Sequence, residues 1–234
     1  MAIDLRSDTL TKPTPAMHQA MMEAEVGDDM FGEDPTVAAL EKKAAKMFGM
    51  DAAIYCASGT MTNQIGIRLH CNLQDEVICH KYSHIYLYES GGIMSNAGAS
   101  VRLLEGERGR ITAKAVESAI QPDDIHSPVS RLVSLENTAN KGGGSCYDFE
   151  EIWAIRETCH EHGLALHLDG ARLFNALVAT GQTTKQYGEV FDTISICLSK
   201  GLGAPVGSLL IGSHADIKRA KRIRKVMGGA WRQA

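Results

Sequence analysis

Four short segments of this 234-residue chain carry side chains that could do chemistry, and each follows an apolar run of strand length. Ser58, Gly59 and Thr60 come directly after Ala52 to Cys56 and open a helical stretch over 61–70. Small residues at a helix N-terminus expose backbone N–H groups, and hydroxyls add donors, so the turn suits a phosphate. Alone, it equally suits an ordinary helix cap. Asp169 ends the run Leu164 to Leu168. A carboxylate at a strand tip can keep a facing ring nitrogen protonated; it can also cap the segment after it. Lys200 sits among glycines after Ile194 to Leu198. Partial burial there would lower the amine's pKa and free it to attack a carbonyl, whereas a fully exposed lysine would only be solvated. His84 follows Val77 to Cys79, where an imidazole could stack on a planar cofactor and shuttle protons near neutral pH. The competing reading is an exposed loop histidine. His126 poses the same question without better local support.

Each signal is modest alone. In combination, the phosphate turn, imidazole, strand-end acid and lysine come in the order expected of a pyridoxal phosphate site. A protonated pyridine acts there as an electron sink.

Positioning four such segments is the work of an alternating fold. Apolar runs at 52–56, 77–79, 101–104, 132–135, 164–168 and 193–198 are separated for the most part by helical patterns. Alternation of this kind predicts an α/β fold, a mostly parallel sheet sandwiched by helices, with ligands at the carboxyl ends of the strands. Val206 to Ile211 follows Pro205 so closely that an antiparallel strand is expected. Asp34 and Pro35 give a cap and first-turn proline, and Val37, Leu40, Ala44, Met47 and Phe48 share a helical face that Gly49 ends. Asp148 with Glu151 reads as a capping box for a helix carrying Phe149, Ile152, Trp153 and Cys159. Residues 1–30 read as an extended polar arm and 31–234 as the cofactor-binding domain.

Bulk composition narrows the function classes. With 44% hydrophobic and 22% charged residues the chain can bury a large core. Its net charge of −4 argues against a nucleic-acid partner. The basic run Lys218, Arg219, Lys221, Arg222, Arg224 and Lys225 reads as a solvated helix face or subunit contact. Six scattered cysteines without a C-x-x-C pair indicate neither a metal site nor a disulfide framework. With no signal core or membrane-length run, the expected location is the cytoplasm.

Six segments carry a resemblance to a known family. They begin at Asp4 to Thr9, Val26 to Pro35 and Ser58 to Asn63. Ser134 to Thr138, His167 to Asn175 and Ser199 to Gly207 complete the set. Together they resemble the low-specificity threonine aldolases, pyridoxal phosphate enzymes of fold type I, from residue 4 to the end. The resemblance implies retro-aldol cleavage of threonine or allo-threonine to glycine and an aldehyde. It makes Lys200 the Schiff-base lysine, Asp169 the pyridinium partner and Arg172 the ligand of the phenolic oxygen. Ser58, Gly59 and Thr60 would hold the phosphate, with Arg232 from a neighbouring subunit. His84 would stack on the ring, Ser7 would bind the substrate carboxylate, and His84 or His126 would be the base. A homodimer or homotetramer with shared sites is implied. The chain departs from the family by Ala139 where a histidine usually stands after Glu136, Asn137 and Thr138. It also ends where the family continues into a smaller C-terminal domain, which carries a carboxylate-clamping arginine. Other outcomes consistent with the residues are a β-eliminating pyridoxal phosphate lyase and a non-catalytic cofactor-binding remnant.

Overall fold

A computed structural model of the protein describes residues 4–233; the first three residues of the arm and Ala234 lie outside them. Seven strands form one sheet: β1 (Ala52–Cys56), β2 (Asp75–His80), β3 (Ser100–Leu104), β4 (Val129–Glu136), β5 (Ala165–Asp169), β6 (Thr193–Cys197) and β7 (Ser208–Gly212). Their order is β1-β7-β6-β5-β4-β2-β3. Strands β6, β5, β4, β2 and β3 run parallel, and β7 is antiparallel to both β1 and β6. The mostly parallel sheet and its antiparallel member thus match the expectation from sequence.

Period-two alternation sends successive side chains to opposite faces. Ile78, Val133, Leu135, Leu166, Leu168, Leu209 and Ile211 join one core. Helices α2 (Pro35–Phe48), α6 (Phe149–Glu161), α7 (Leu173–Thr180) and α8 (Thr184–Val190) add residues to that core. Val77, Cys79, Leu132, Ile54 and Leu210 face the other way. There they meet α3 (Gly59–His70) and α9 (His214–Val226). The remaining helices are α1 (Pro15–Glu23), α4 (His84–Leu87) and α5 (Ala113–Ala119). No helix among the described residues is long and apolar enough to cross a membrane.

Helix α2 follows its signals closely. Asp34 Oδ1 accepts from the Val37 N–H, Pro35 occupies the first turn, and Gly49 closes the helix at φ 67°. Elsewhere the structure corrects the reading. The arm is not wholly extended, because Thr14 caps the nine-residue α1. Asp148 does cap α6, but Glu151 turns away to accept the Ala113 N–H at the start of α5, so no capping box forms. Trp153 points outward, while Ile152, Ile155 and Cys159 are buried. Within the basic run, Arg224 is buried rather than solvated. It bonds Asp29 Oδ2 at 2.7 Å and the Tyr55 carbonyl at 2.6 Å, stapling the arm to β1.

Candidate active site

The carboxyl ends of β4, β5 and β6 place Glu136, Asp169 and Ser195 side by side in register. Asp169 is buried, and its Oδ1 accepts the Ala171 N–H at 3.2 Å. It does not cap α7, which begins after Arg172. Its Oδ2 accepts an amide hydrogen of Asn63 at 3.0 Å. The loop after β2 brings His84 to the same edge, where its backbone N–H is held by Glu136 at 2.8 Å. Polar atoms of His84, Glu89 and Asp169 lie within 4.8 Å of one another. Lys200, in the turn after β6, is close enough to act electrostatically on Asp8, His84 and Cys197.

Helix α3 closes the site from below the sheet edge. Ser58 Oγ accepts the Met61 N–H, and the Ser58 carbonyl accepts that of Thr62. The N–H groups of Gly59 and Thr60 are thereby left for a ligand. Thr62 Oγ1 meets Ser195 Oγ at 2.6 Å and fixes the helix to β6. Only glycine fits at 59, since a Cβ there would lie 2.5 Å from Cys197 Sγ. Gly59→Ala should therefore cost about 1–3 kcal/mol in stability and weaken phosphate binding. Adding Cys197→Ala should return part of both. Thermal melting and a binding titration check this; a Gly59→Ala chain as stable as its parent would refute the close packing.

Three neighbours set the electrostatics. Glu89, fully buried in its side chain, accepts from Asn63 at 2.9 Å, Gln64 at 2.6 Å and His84 Nδ1 at 2.9 Å. That bond to Glu89 is the main reason the His84 pKa is raised. Glu136 is pushed up to about 7, first by burial and then by Asp169 beside it. Arg172 holds Asp8 of the arm by paired bonds at 2.7 and 2.8 Å, which lowers the Asp8 pKa. Thr11 of the same arm donates to the Lys200 carbonyl at 2.7 Å.

A raised histidine pKa gives a stability increment present in full below the unfolded value, near pH 6.5. The increment is lost as pH rises through the folded value. Glu89→Gln should therefore widen the melting-temperature gap from the parent protein more at about pH 6 than at about pH 9. Equal gaps would mean that His84 gains nothing from the Glu89 charge.

Not every expected residue joins the cluster. His126 is exposed, pairs with Asp124 at 2.7 Å, and precedes the opposite end of β4. The length of that strand puts it roughly 25 Å from the site edge within one chain. Arg232, expected to serve the site of a neighbouring subunit, pairs with Asp28 of its own chain at 2.8 Å. Ser7, by contrast, precedes the Asp8 that Arg172 holds; it caps the turn Asp8–Leu10, and its Oγ accepts the Thr9 N–H at 3.2 Å. Ala139 is buried in an antiparallel bridge with Ser145. Asn63, Glu89 and Gln64 escape the sequence reading. Asn63 lies within a quoted motif, but nothing local marks its partners.

The donor set fits pyridoxal phosphate. Helix N–H groups suit the phosphate, buried Asp169 suits a cationic ring nitrogen, and Lys200 lies within range of both His84 and the arm. Among the described residues, Arg172 keeps Nη1 unbonded beside the Asp8 pair.

Comparison with known proteins agrees. The chain is 44% identical over 236 residues to low-specificity L-threonine aldolase 1 of Arabidopsis thaliana, covering 99% of this chain and 66% of that protein. It is 46% identical over 233 residues to a low specificity L-threonine aldolase of Escherichia coli, covering 99% and 69%. A solved threonine aldolase of Leishmania major superposes with a TM-score of 0.85 at 26% identity, covering 97% of this chain and 67% of that one. The chain thus spans about two thirds of the length of these relatives. The family model for beta-eliminating lyases matches residues 4–234, and the chain belongs to that family of pyridoxal phosphate-dependent enzymes.

Proposed function

We propose that this chain holds pyridoxal phosphate on Lys200 and, in the whole protein, cleaves L-threonine and L-allo-threonine to glycine and an aldehyde. One observation supports this above the others: Glu89 and Asp169 flank His84 where the parallel strands end, with Lys200 in electrostatic range. When bound, the cofactor accepts the electron pair of the broken Cα–Cβ bond. The amine of Lys200 would carry the cofactor covalently and would be displaced from it by the substrate amine. Asp169 would keep the ring nitrogen protonated, and the first turn of α3, Ser58 to Thr60, would orient the phosphate. Arg172 offers Nη1 to the phenolic oxygen, and Ser7 offers its hydroxyl to the substrate carboxylate. With Nδ1 of His84 directed at Glu89, its Nε2 is the nitrogen that takes the β-hydroxyl proton, directly or through a water. Once the aldehyde has left, the proton held by His84, or one from water, would pass to Cα, and the Lys200 amine would displace that of glycine.

His126 and Arg232 stand apart from this cluster within one chain, so a role for either requires a neighbouring copy. A homodimer or homotetramer is the arrangement we favour. Six unpaired cysteines suit a reducing compartment, and we assign the cytoplasm.

Product analysis on the full-length protein with threonine and the cofactor tests the assignment. Glycine and acetaldehyde in equal amounts are expected. A keto acid and ammonia would assign β-elimination instead, and cofactor binding without turnover would assign a non-catalytic role.

A further inference from the structure

We infer that Asn63 is a positioning residue of the cofactor site, its amide oriented by a one-way hydrogen-bond chain from His70 through Thr193 and His167. The inference rests on the cofactor reading above and extends it to residues that the reaction itself does not touch. Asn63 Nδ2 lies 2.9 Å from Glu89 Oε1 and 3.0 Å from Asp169 Oδ2. Both partners are carboxylates, so the group between them must be the NH2 and not the carbonyl oxygen. Asn63 Oδ1 then faces His167 Nε2 at 3.3 Å, which makes Nε2 the protonated nitrogen.

The remaining links follow from counting hydrogens. His167 is fully buried, and burial drives its pKa down to about 3, so the ring is neutral. Its Nδ1 is therefore an acceptor, and the one hydrogen of Thr193 Oγ1 must go to it at 2.9 Å. Thr193 Oγ1 in turn accepts from His70 Nε2 at 3.0 Å. Every donor points toward the two carboxylates. Reversing one link leaves two lone pairs or two hydrogens opposed in the buried layer, so the chain has one consistent direction.

The fold supplies what the chain needs. His167 pairs with Thr193 across β5 and β6, on the sheet face that α3 covers. Gly66 of α3 lies flat against the imidazole, where a Cβ would stand 2.7 Å from Cε1. Asn63, His167, Thr193 and Asp169 are all buried, so water cannot replace a lost member without rearrangement.

The test has two arms. In cofactor-free protein, long-range proton–nitrogen correlation spectra of ¹⁵N-labelled histidines should show His167 as the neutral Nε2–H tautomer. The opposite tautomer, or a ring that titrates near the usual value of about 6.5, would overturn the inference. In the second arm, Thr193→Val, Thr193→Ser and Asn63→Leu are compared for pyridoxal phosphate affinity and for the visible band of the bound cofactor. Valine and leucine should each weaken binding roughly tenfold and move the band, while serine, which keeps the hydroxyl, should match the parent protein. Unchanged affinity and band in Thr193→Val would overturn the inference even if Asn63→Leu fails to fold. A parent protein that binds no cofactor would instead defeat the functional reading, and the tautomer arm would still decide the chain's direction.

Discussion

Lys200→Ala should lower aldol cleavage by the whole protein about 10³-fold or more, because it removes the amine that would carry the cofactor covalently. The variant should nevertheless fold as the parent does. The Lys200 side chain makes no hydrogen bond or ion pair among the described residues, so its removal should change stability by no more than about 0.5 kcal/mol. Lys200→Arg sharpens the comparison. Arginine keeps the positive charge felt by Asp8 and His84 but cannot lose a proton to become a nucleophile. If the charge alone mattered, arginine would preserve activity. Both variants should be inactive, measured as glycine released from threonine alongside a melting curve.

Asp169→Asn should be the next most damaging change, at about 10²–10³-fold in turnover, the range for loss of a single charge-stabilising group. The loss has two parts. The carboxylate that would hold the ring nitrogen protonated is gone, so the cofactor accepts electrons less well. The asparagine also has one oxygen for the two hydrogens that Asn63 and the Ala171 N–H now direct at Asp169. One buried hydrogen is then unpaired or opposed by the new amide, at a cost of about 1–3 kcal/mol. The variant should therefore melt below the parent as well as turn over slowly. Full stability with full activity would show that Asp169 serves neither purpose.

The chemistry-bearing residues that open helices or follow strands were the legible ones. Ser58, Gly59 and Thr60 announce themselves because a capped, small-residue turn has a local composition, and Asp34 with Pro35 does the same for α2. Strand runs were equally readable, since a buried parallel strand needs a continuous apolar stretch. What the sequence conceals is pairing at a distance. Glu89 and Asn63 meet only because the loop after β2 and the first turns of α3 arrive at one sheet edge. Glu151 illustrates the converse. Its spacing from Asp148 satisfied a local rule, yet the exposed N-terminus of α5 competed for the carboxylate and won. His126 shows the same limit. Its residue type suits catalysis, but within one chain it stands before β4, at the edge opposite Asp169, and a role through a neighbouring copy leaves no local signal.

His167 is the instructive middle case. A histidine between Leu166 and Leu168 interrupts an apolar strand, and alternation alone sends it to the opposite face from both leucines. The sequence could thus reveal a buried imidazole but not the hydroxyl and amide that satisfy it.

Borohydride reduction of the protein with bound pyridoxal phosphate, followed by peptide mapping of the adduct, tests the central claim most directly. The visible band should disappear on reduction, and the label should be found on Lys200 alone. A label on another lysine, or no stable adduct in a protein that binds the cofactor, would contradict it.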